Sequence, residues 1–70
     1  KYQVLLEALK VVEESFYRLG YTFLEYQLYK QSKEQELISR GVLSDLDFLS
    51  SYISESALFI KEEQSKFSKN

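Results

Sequence analysis

The chain reads RLGYTFLE over residues 18–25, and this short stretch carries the signals for the end of one helix and the start of the next. Glycine is the preferred residue just beyond a helix C-terminus, and Arg18 stands in the last turn, where a cation interacts favourably with the negative helix end. Thr22 and Glu25 have the spacing of a capping box, in which each side chain accepts a hydrogen bond from the other residue's backbone N–H. The stretch therefore predicts a helix boundary at Gly20.

A second stretch, RGVLSDLD over residues 40–47, repeats this arrangement with Gly41, with Ser44 as the cap and with Asp47 in the position of the reciprocal acid. These are the only two glycines, and there is no proline, so the junctions divide the 70 residues into three segments of similar length. Short links make sequential helices antiparallel neighbours. The sequence therefore predicts an all-α fold, a small antiparallel three-helix bundle with helices over residues 2–19, 22–39 and 44–67.

One alternative fold is a helical hairpin in which a single long helix continues through Gly20. Glycine in a helix interior costs about 1 kcal/mol relative to alanine, and the cap residues that follow would then be a coincidence, so three helices are favoured. The alternative rests on a row of apolar residues that alternates spacings of four and three across the glycine, as a heptad seam does. This row is Leu5, Leu9, Val12, Phe16, Leu19, Phe23 and Tyr26.

Apolar rows at helical spacing indicate which faces pack in the core. The first helix carries a main row and beside it a second row of Val4, Ala8 and Val11, a combined width that indicates contact with two neighbours. Residues 23–29 are apolar nearly all round, so we expect the first half of the second helix to be buried and its polar middle, residues 30–36, to be solvated. The core row of the third helix is predicted to be Leu46, Leu49, Ile53, Ala57, Ile60 and Phe67.

The composition is that of a folded, soluble single domain over residues 1–70. Hydrophobic residues make up 44% and aromatic residues 16%, while no apolar run approaches the roughly 20 residues that span a bilayer. A net charge of −2 gives no basic field, so neither nucleic acid nor a membrane surface is an expected partner. Because the sequence begins at Lys1 and lacks methionine, we expect a processed form, an excised domain or the ordered part of a longer chain. A structural spacer within such a longer chain is a further alternative function.

The residue types argue against catalysis and metal binding. The chain has no His and no Cys, which are the commonest proton-transfer, nucleophilic and zinc-ligating side chains. The adjacent pairs Glu13–Glu14 and Glu62–Glu63 point about 100° apart on a helix and do not converge on one substrate. We therefore predict no catalytic residues, no metal site and no cofactor, and expect a protein that is not an enzyme.

Tyrosine and phenylalanine provide the candidate functional site. Tyr is enriched at interfaces because it joins a rigid apolar body to a polar end, and the apolar residues exceed what three short helices bury against one another. We therefore predict a protein–protein interaction module that binds a protein partner or a second copy as a dimer, acting as a small regulator, inhibitor or chaperone-like adaptor. A ridge beside the core row of the third helix, together with one side of the second helix, is expected either to cover the flanks of the bundle or to bind the partner. The predicted partner-binding residues are Phe48, Tyr52, Phe59, Tyr21, Tyr26 and Tyr29.

The alternative function is that of a nucleic-acid accessory factor. Residues 36–49 have the helix, glycine-containing turn and helix outline of a helix-turn-helix. A recognition helix presents its first residues to bases and phosphates, and here these are Ser44, Asp45 and Asp47, with no Lys or Arg from Val42 to Ile60. Carboxylates at this place disfavour the alternative.

Overall fold

The computed structural model describes residues 2–68, and the predicted fold class is confirmed. The three helices are α1 (Tyr2–Arg18), α2 (Phe23–Ser39) and α3 (Asp45–Ser68), and they pack on one another as a small three-helix bundle. Each observed boundary lies within one residue of the predicted one. The C-terminal end of the third predicted helix, residue 67, falls one residue short of Ser68.

Both glycines end a helix in the same way. Gly20 and Gly41 have φ angles of 102° and 87°, the left-handed region in which glycine carries no Cβ penalty. At the first junction the Gly20 N–H donates to the Tyr17 carbonyl at 3.0 Å and the Tyr21 N–H donates to the Phe16 carbonyl at 3.1 Å. This pair of hydrogen bonds is the Schellman motif, and it terminates α1. The alternative of one continuous helix through Gly20 is therefore wrong.

The second junction repeats the motif in detail. The Gly41 N–H donates to the Ile38 carbonyl at 2.9 Å, and the Val42 N–H donates to the Leu37 carbonyl at 3.1 Å. In each junction the residue after the glycine packs back on the core, as the hydrophobic contact of a Schellman motif does: the Tyr21 ring lies 5.3 Å from the Phe16 ring, and Val42 contacts the core cluster.

The two helix starts differ in strength. The predicted capping box of α2 is confirmed, because Thr22 Oγ1 accepts from the Glu25 N–H at 3.1 Å and Glu25 Oε1 accepts from the Thr22 N–H at 2.8 Å. At α3 the Ser44 Oγ accepts from the Asp47 N–H at 3.5 Å, which is a long and weak contact. The α1–α2 junction is therefore the better defined of the two.

The direction of the helices follows from which ends meet. Tyr21, just before α2, reaches Glu63 near the end of α3, while Val4 of α1 and Leu46 of α3 line the same surface hollow. Helices α1 and α3 therefore run parallel, α2 runs antiparallel to both, and α1 with α3 forms the most extensive helix pair.

The core is built from side chains of all three helices. Phe16 is the central ring, and α3 contributes the buried hydroxyl of Ser56 beside its apolar side chains. The buried hydrophobic residues are Val12, Phe16, Tyr26, Leu37, Tyr52 and Ile60.

Two predictions about buried faces are confirmed only in part. On α3, Ile60 of the predicted row is buried and Ile53 packs against the core, whereas Leu46 is 48% exposed and Ala57 is exposed. Tyr52 and Ser56 are buried as well, so the core face is rotated from the predicted row toward the aromatic side. On α2, Phe23, Leu24 and Leu28 are exposed instead of buried. The tyrosines Tyr26 and Tyr29 take the inner positions of that half of α2 because their rings pack on Phe16.

Candidate interaction surfaces

The six predicted partner-binding residues divide into two that are buried and four that are half-buried. Tyr26 and Tyr52 are each 2% exposed, so their side chains belong to the core of the bundle. Tyr21, Tyr29, Phe48 and Phe59 are half-buried and pack against the core cluster. Their role in partner binding stays a prediction, and it is restricted to the edges of these four rings that reach the surface.

Five of the six rings form one cluster around Phe16. The Phe16 ring centroid lies 5.0 Å from that of Tyr26, 4.7 Å from that of Tyr29 and 5.6 Å from that of Phe59, with which it is stacked. Tyr52 joins the cluster through Tyr29 at 6.3 Å. Such spacings are typical of favourable aromatic pairs, so the rings stabilise the bundle through one another. Phe48 lies outside this cluster, in a hollow of about 410 Å³ that Leu43 and Ile38 also line.

The buried phenols are paired with one another across helices α2 and α3. The hydroxyl oxygens of Tyr26 and Tyr52 are 2.8 Å apart, and the Tyr29 hydroxyl lies 2.9 Å from the Ser56 Oγ. Within residues 2–68, no buried side-chain nitrogen or oxygen is left without a hydrogen-bond partner. Burial, followed by the hydrogen bond to Tyr26, raises the pKa of Tyr52 far above that of a free phenol, and burial also raises the pKa of Tyr26. Both phenols therefore remain neutral and serve to join two helices.

An ion-pair network joins the second half of α2 to the middle of α3. Arg40 Nη2 donates to both Glu55 carboxylate oxygens, at 2.7 and 2.8 Å, and Lys33 Nζ donates to Glu55 at 3.2 Å and to Glu36 at 3.1 Å. The hydrogen bond from Arg40 is the main reason why the pKa of Glu55 is lowered, and Lys33 acts in the same direction. This network is a structural link between the two helices.

One surface feature that the aromatic prediction did not include is an apolar groove between α1 and α3. A hollow of about 400 Å³ lies at its N-terminal end and is lined by Val4, Leu5, Leu46, Asp47 and Ser50. Because α1 and α3 run parallel, residues at helical spacing from Val4 and Leu46 continue the groove along both helices. Its floor is half-buried and its sides are exposed. We call it the α1–α3 groove, with Ala8 and Ile53 as its floor and Val4, Val11, Leu46 and Ala57 as its sides.

A second exposed patch lies on the outer side of α2. Phe23, Leu24 and Leu28 are each more than half exposed. Leu24 and Leu28 are neighbours at i, i+4, and Phe23 lies beside them in the first turn. We call these three residues the α2 patch. It differs from the α1–α3 groove in being convex and confined to one helix.

Part of the groove is visible in the sequence as the row of Val4, Ala8 and Val11. The width of the apolar face predicts that this row contacts a neighbouring helix, whereas in the structure its outer members face solvent. The α3 side of the groove is predicted to lie in the core. The sequence does carry the two apolar rows side by side on α3, and the structure buries members of both, Ile60 from one and Tyr52 from the other.

The described part of the chain contains neither a candidate metal centre nor a candidate membrane span. Across residues 2–68, no three or more Asp or Glu side chains are grouped so that they could hold a metal ion. No helix in the same range has the length and apolar character needed to cross a bilayer. At the start of α3, Ser44, Asp45 and Asp47 are exposed, which leaves acidic residues where a recognition helix would meet phosphates.

No protein-family model matches the chain, and neither does any curated protein or any solved structure. The class of the protein is therefore inferred from the chemistry of its surfaces.

Proposed function

We propose that the chain is a non-enzymatic protein–protein interaction module that binds its partner through exposed apolar side chains of the bundle. The observation that carries this proposal is the number and grouping of these side chains: thirteen large hydrophobic residues are exposed among residues 2–68, against six that are buried. Single exposed hydrophobic residues are normal on a protein surface, but contiguous groups mark interaction sites.

The grouping favours the α1–α3 groove over the rest of the surface. It runs along two helices and combines exposed Val and Leu side chains with the small residues Ala8 and Ala57, so a partner can approach the helix backbones closely. Covering a Val or Leu side chain that is about half exposed contributes on the order of 1 kcal/mol. Covering the whole groove, its sides and its floor, therefore contributes several kcal/mol to binding. The entropy lost when the two partners associate is still to be subtracted from this figure.

The test compares two pairs of surface substitutions with a matched control. V11S/L46S removes one apolar side chain from each side of the groove, and L24S/L28S alters the α2 patch. L58S is the control, because Leu58 is an exposed leucine on α3 that belongs to neither surface. Chemical cross-linking in extract of the source cells and sedimentation over a wide concentration range measure association, and circular dichroism verifies that each variant keeps its helix content.

The proposal predicts that one pair of substitutions abolishes a cross-linked species or a concentration-dependent mass while L58S leaves it unchanged. Association that is insensitive to both pairs would contradict it. A shift that appears with DNA or RNA and falls steeply with salt would instead support the nucleic-acid alternative.

A further inference from the structure

We infer that the hollow at the α2–α3 junction binds an arginine side chain of a partner protein, in a segment where apolar residues flank that arginine. This is the hollow of about 410 Å³ that contains Phe48, and we call it the junction hollow. It shares no residue with the α1–α3 groove or the α2 patch, so the inference goes beyond the proposed function by adding a separate site with its own ligand. The junction hollow is lined by Glu34, Ile38, Val42, Leu43, Asp45 and Phe48.

Each of the two helices brings one acid and one apolar side chain to the junction hollow. On α2, Glu34 and Ile38 are one turn apart at i, i+4, and on α3, Asp45 and Phe48 are neighbours at i, i+3. Leu43, between the helices, is 79% exposed, and Ile38 is 57% exposed. The hollow therefore combines uncovered apolar surface with one carboxylate from each helix.

The backbone of the junction gives the hollow a defined shape. The Schellman hydrogen bonds of Gly41 and Val42 end α2 at this point, and the side chains of Val42 and Phe48 pack against the core cluster. The volume of about 410 Å³ falls within the range of about 300–1,000 Å³ that is typical of ligand pockets. Because the walls are already ordered, binding does not have to order them at a cost in affinity.

The carboxylate of Glu34 is the observation that points to a cationic ligand. Four acids among residues 2–68 are half-buried, namely Glu13, Glu34, Glu55 and Glu63. Three of them accept a hydrogen bond from a tyrosine hydroxyl or a cationic side chain, and within the same residues Glu34 alone has neither a hydrogen bond nor an ion pair. Removing a carboxylate from water is unfavourable unless it gains such a partner. Asp45, in contrast, already complements the positive end of α3.

The cations near this end of α2 do not neutralise the junction hollow. Arg40 and Lys33 both donate to Glu55, farther along α3. Lys30 precedes Glu34 by one turn, but it does not line the hollow and forms no ion pair with Glu34. The lining residues therefore include two acids and no base.

An arginine meets both requirements of this site. Its planar guanidinium is less strongly hydrated than a lysine ammonium and forms paired hydrogen bonds with a carboxylate, so it suits an acid beside apolar walls. The stem of an arginine and the apolar residues next to it in the partner would cover Leu43 and Ile38, which contributes the hydrophobic part of the affinity.

A second copy of the chain is a poorer source of this arginine. The chain has two arginines, and Arg40 is held by both carboxylate oxygens of Glu55. Arg18 is exposed, but Glu14 precedes it by one turn on the same side of α1. Docking of Arg18 would bring that acid toward Glu34, and like charges at an interface reduce affinity. The site therefore favours a different protein as the partner.

The experiment titrates the isotope-labelled intact protein with three blocked peptides and follows binding by nuclear magnetic resonance. The peptides read Gly-Leu-X-Leu-Gly, where X is arginine, lysine or citrulline, the uncharged analogue of arginine. We expect the shifted backbone resonances to cluster at the junction hollow. At low salt the arginine peptide should bind about fivefold more tightly than the citrulline peptide, with the lysine peptide between them. This preference should shrink at about 0.15 M salt.

The variants separate the acids of the hollow from its apolar wall. Glu34→Gln and Asp45→Asn should each lower the preference for arginine over citrulline about twofold. Asp47→Asn is the matched control and should leave it unchanged, because Asp47 is in the same turn as Asp45 but lines the hollow of the α1–α3 groove. Leu43→Ser should weaken the binding of all three peptides, whereas Leu58→Ser should not. Circular dichroism verifies that each variant keeps its helix content.

The inference is overturned if no peptide gives a saturable shift at up to about 5 mM, or if the arginine preference is the same in Glu34→Gln and Asp47→Asn. A lysine peptide that binds as tightly as the arginine peptide would overturn the assignment to arginine. Sedimentation that detects a dimer lost in Glu34→Gln would overturn it in favour of a second copy. The substitutions that test the proposed function, V11S/L46S and L24S/L28S, lie outside the junction hollow, so either conclusion can fail without the other.

Discussion

The Tyr26–Tyr52 pair allows a direct test of how the bundle is held together. The two hydroxyl oxygens are 2.8 Å apart and both side chains are 2% exposed, so neither hydroxyl can turn to bulk water if the other is removed. Leaving a buried polar group unpaired costs about 1–3 kcal/mol, while removing both partners together is nearly neutral. Tyr52→Phe is therefore expected to lower the free energy of unfolding by about 2 kcal/mol, because it strands the Tyr26 hydroxyl.

The reverse substitution is expected to cost less. After Tyr26→Phe, the Tyr52 hydroxyl still has Ser56 as a hydrogen-bonding neighbour, so a loss of about 1 kcal/mol is expected. The double variant should lose little more than Tyr26→Phe alone, which gives a coupling energy of about 1–2 kcal/mol in the double-mutant cycle.

The assay is urea unfolding of the wild type, both single variants and the double variant, followed by far-ultraviolet circular dichroism. A domain of this size is expected to have a total stability of only about 4–10 kcal/mol, so losses of this size are readily measured. Tyr17→Phe serves as the control, because the Tyr17 hydroxyl donates to Glu13 at the exposed surface, and it should change stability by less than about 0.5 kcal/mol. Additive losses in the cycle would refute the reasoning.

Three further predictions concern the backbone at the two glycines, the ion pairs of Glu55, and the distinction between core and surface residues on α1. Alanine at Gly20 or Gly41 should lower the free energy of unfolding in urea by about 1–2 kcal/mol, because alanine is strained at a left-handed φ. No atom lies within 4 Å of the added Cβ, so no steric clash adds to this cost. Asparagine should cost less at either position. Arg40 and Lys33 lower the pKa of Glu55, so their ion pairs with it add to the free energy of unfolding above the ordinary Glu pKa of about 4.3. This stabilisation is lost as the pH falls through the lowered pKa. Glu55→Gln should therefore flatten the acid side of a profile of unfolding free energy against pH. Val12→Ala should lower the free energy of unfolding by about 2 kcal/mol and Val11→Ala by less than about 0.5 kcal/mol, measured by thermal or urea unfolding. Equal losses from the two substitutions would contradict the assignment of Val12 to the core and of Val11 to the groove.

The helix boundaries could be predicted because their signals are local. A glycine beyond the last turn and the Thr22–Glu25 box act within five residues of the chain, and the same hydrogen bonds form whatever the helix later packs against. The number of helices, their limits and the antiparallel course of α2 all follow from those junctions.

The inward face of α3 could not be predicted in the same way. Leu46 and Tyr52 lie about 120° apart on the helix, and a scale of hydrophobicity prefers the leucine. The structure buries Tyr52 instead, because its hydroxyl meets that of Tyr26 on another helix, and burial of a phenol is favourable only where such a partner exists. This information is tertiary and cannot be read from the spacing of residues on one helix.

The candidate site, too, could be predicted from the sequence only in part. The row of Val4, Ala8 and Val11 is visible as an apolar stripe, but whether a stripe faces a neighbour or solvent depends on how many helices surround it. With only three helices, the bundle leaves one furrow uncovered, and the sequence alone does not show which furrow that is.

The most extensive contact of the bundle joins α1 and α3, the two helices that are farthest apart in the sequence. During synthesis, therefore, α1 and α2 leave the ribosome well before the segment that covers most of their apolar surface has been translated. A two-helix hairpin of this length buries too little to be stable by itself, so the nascent chain is expected to acquire protection from proteolysis in one late step, once residues through Ile60 have left the exit tunnel.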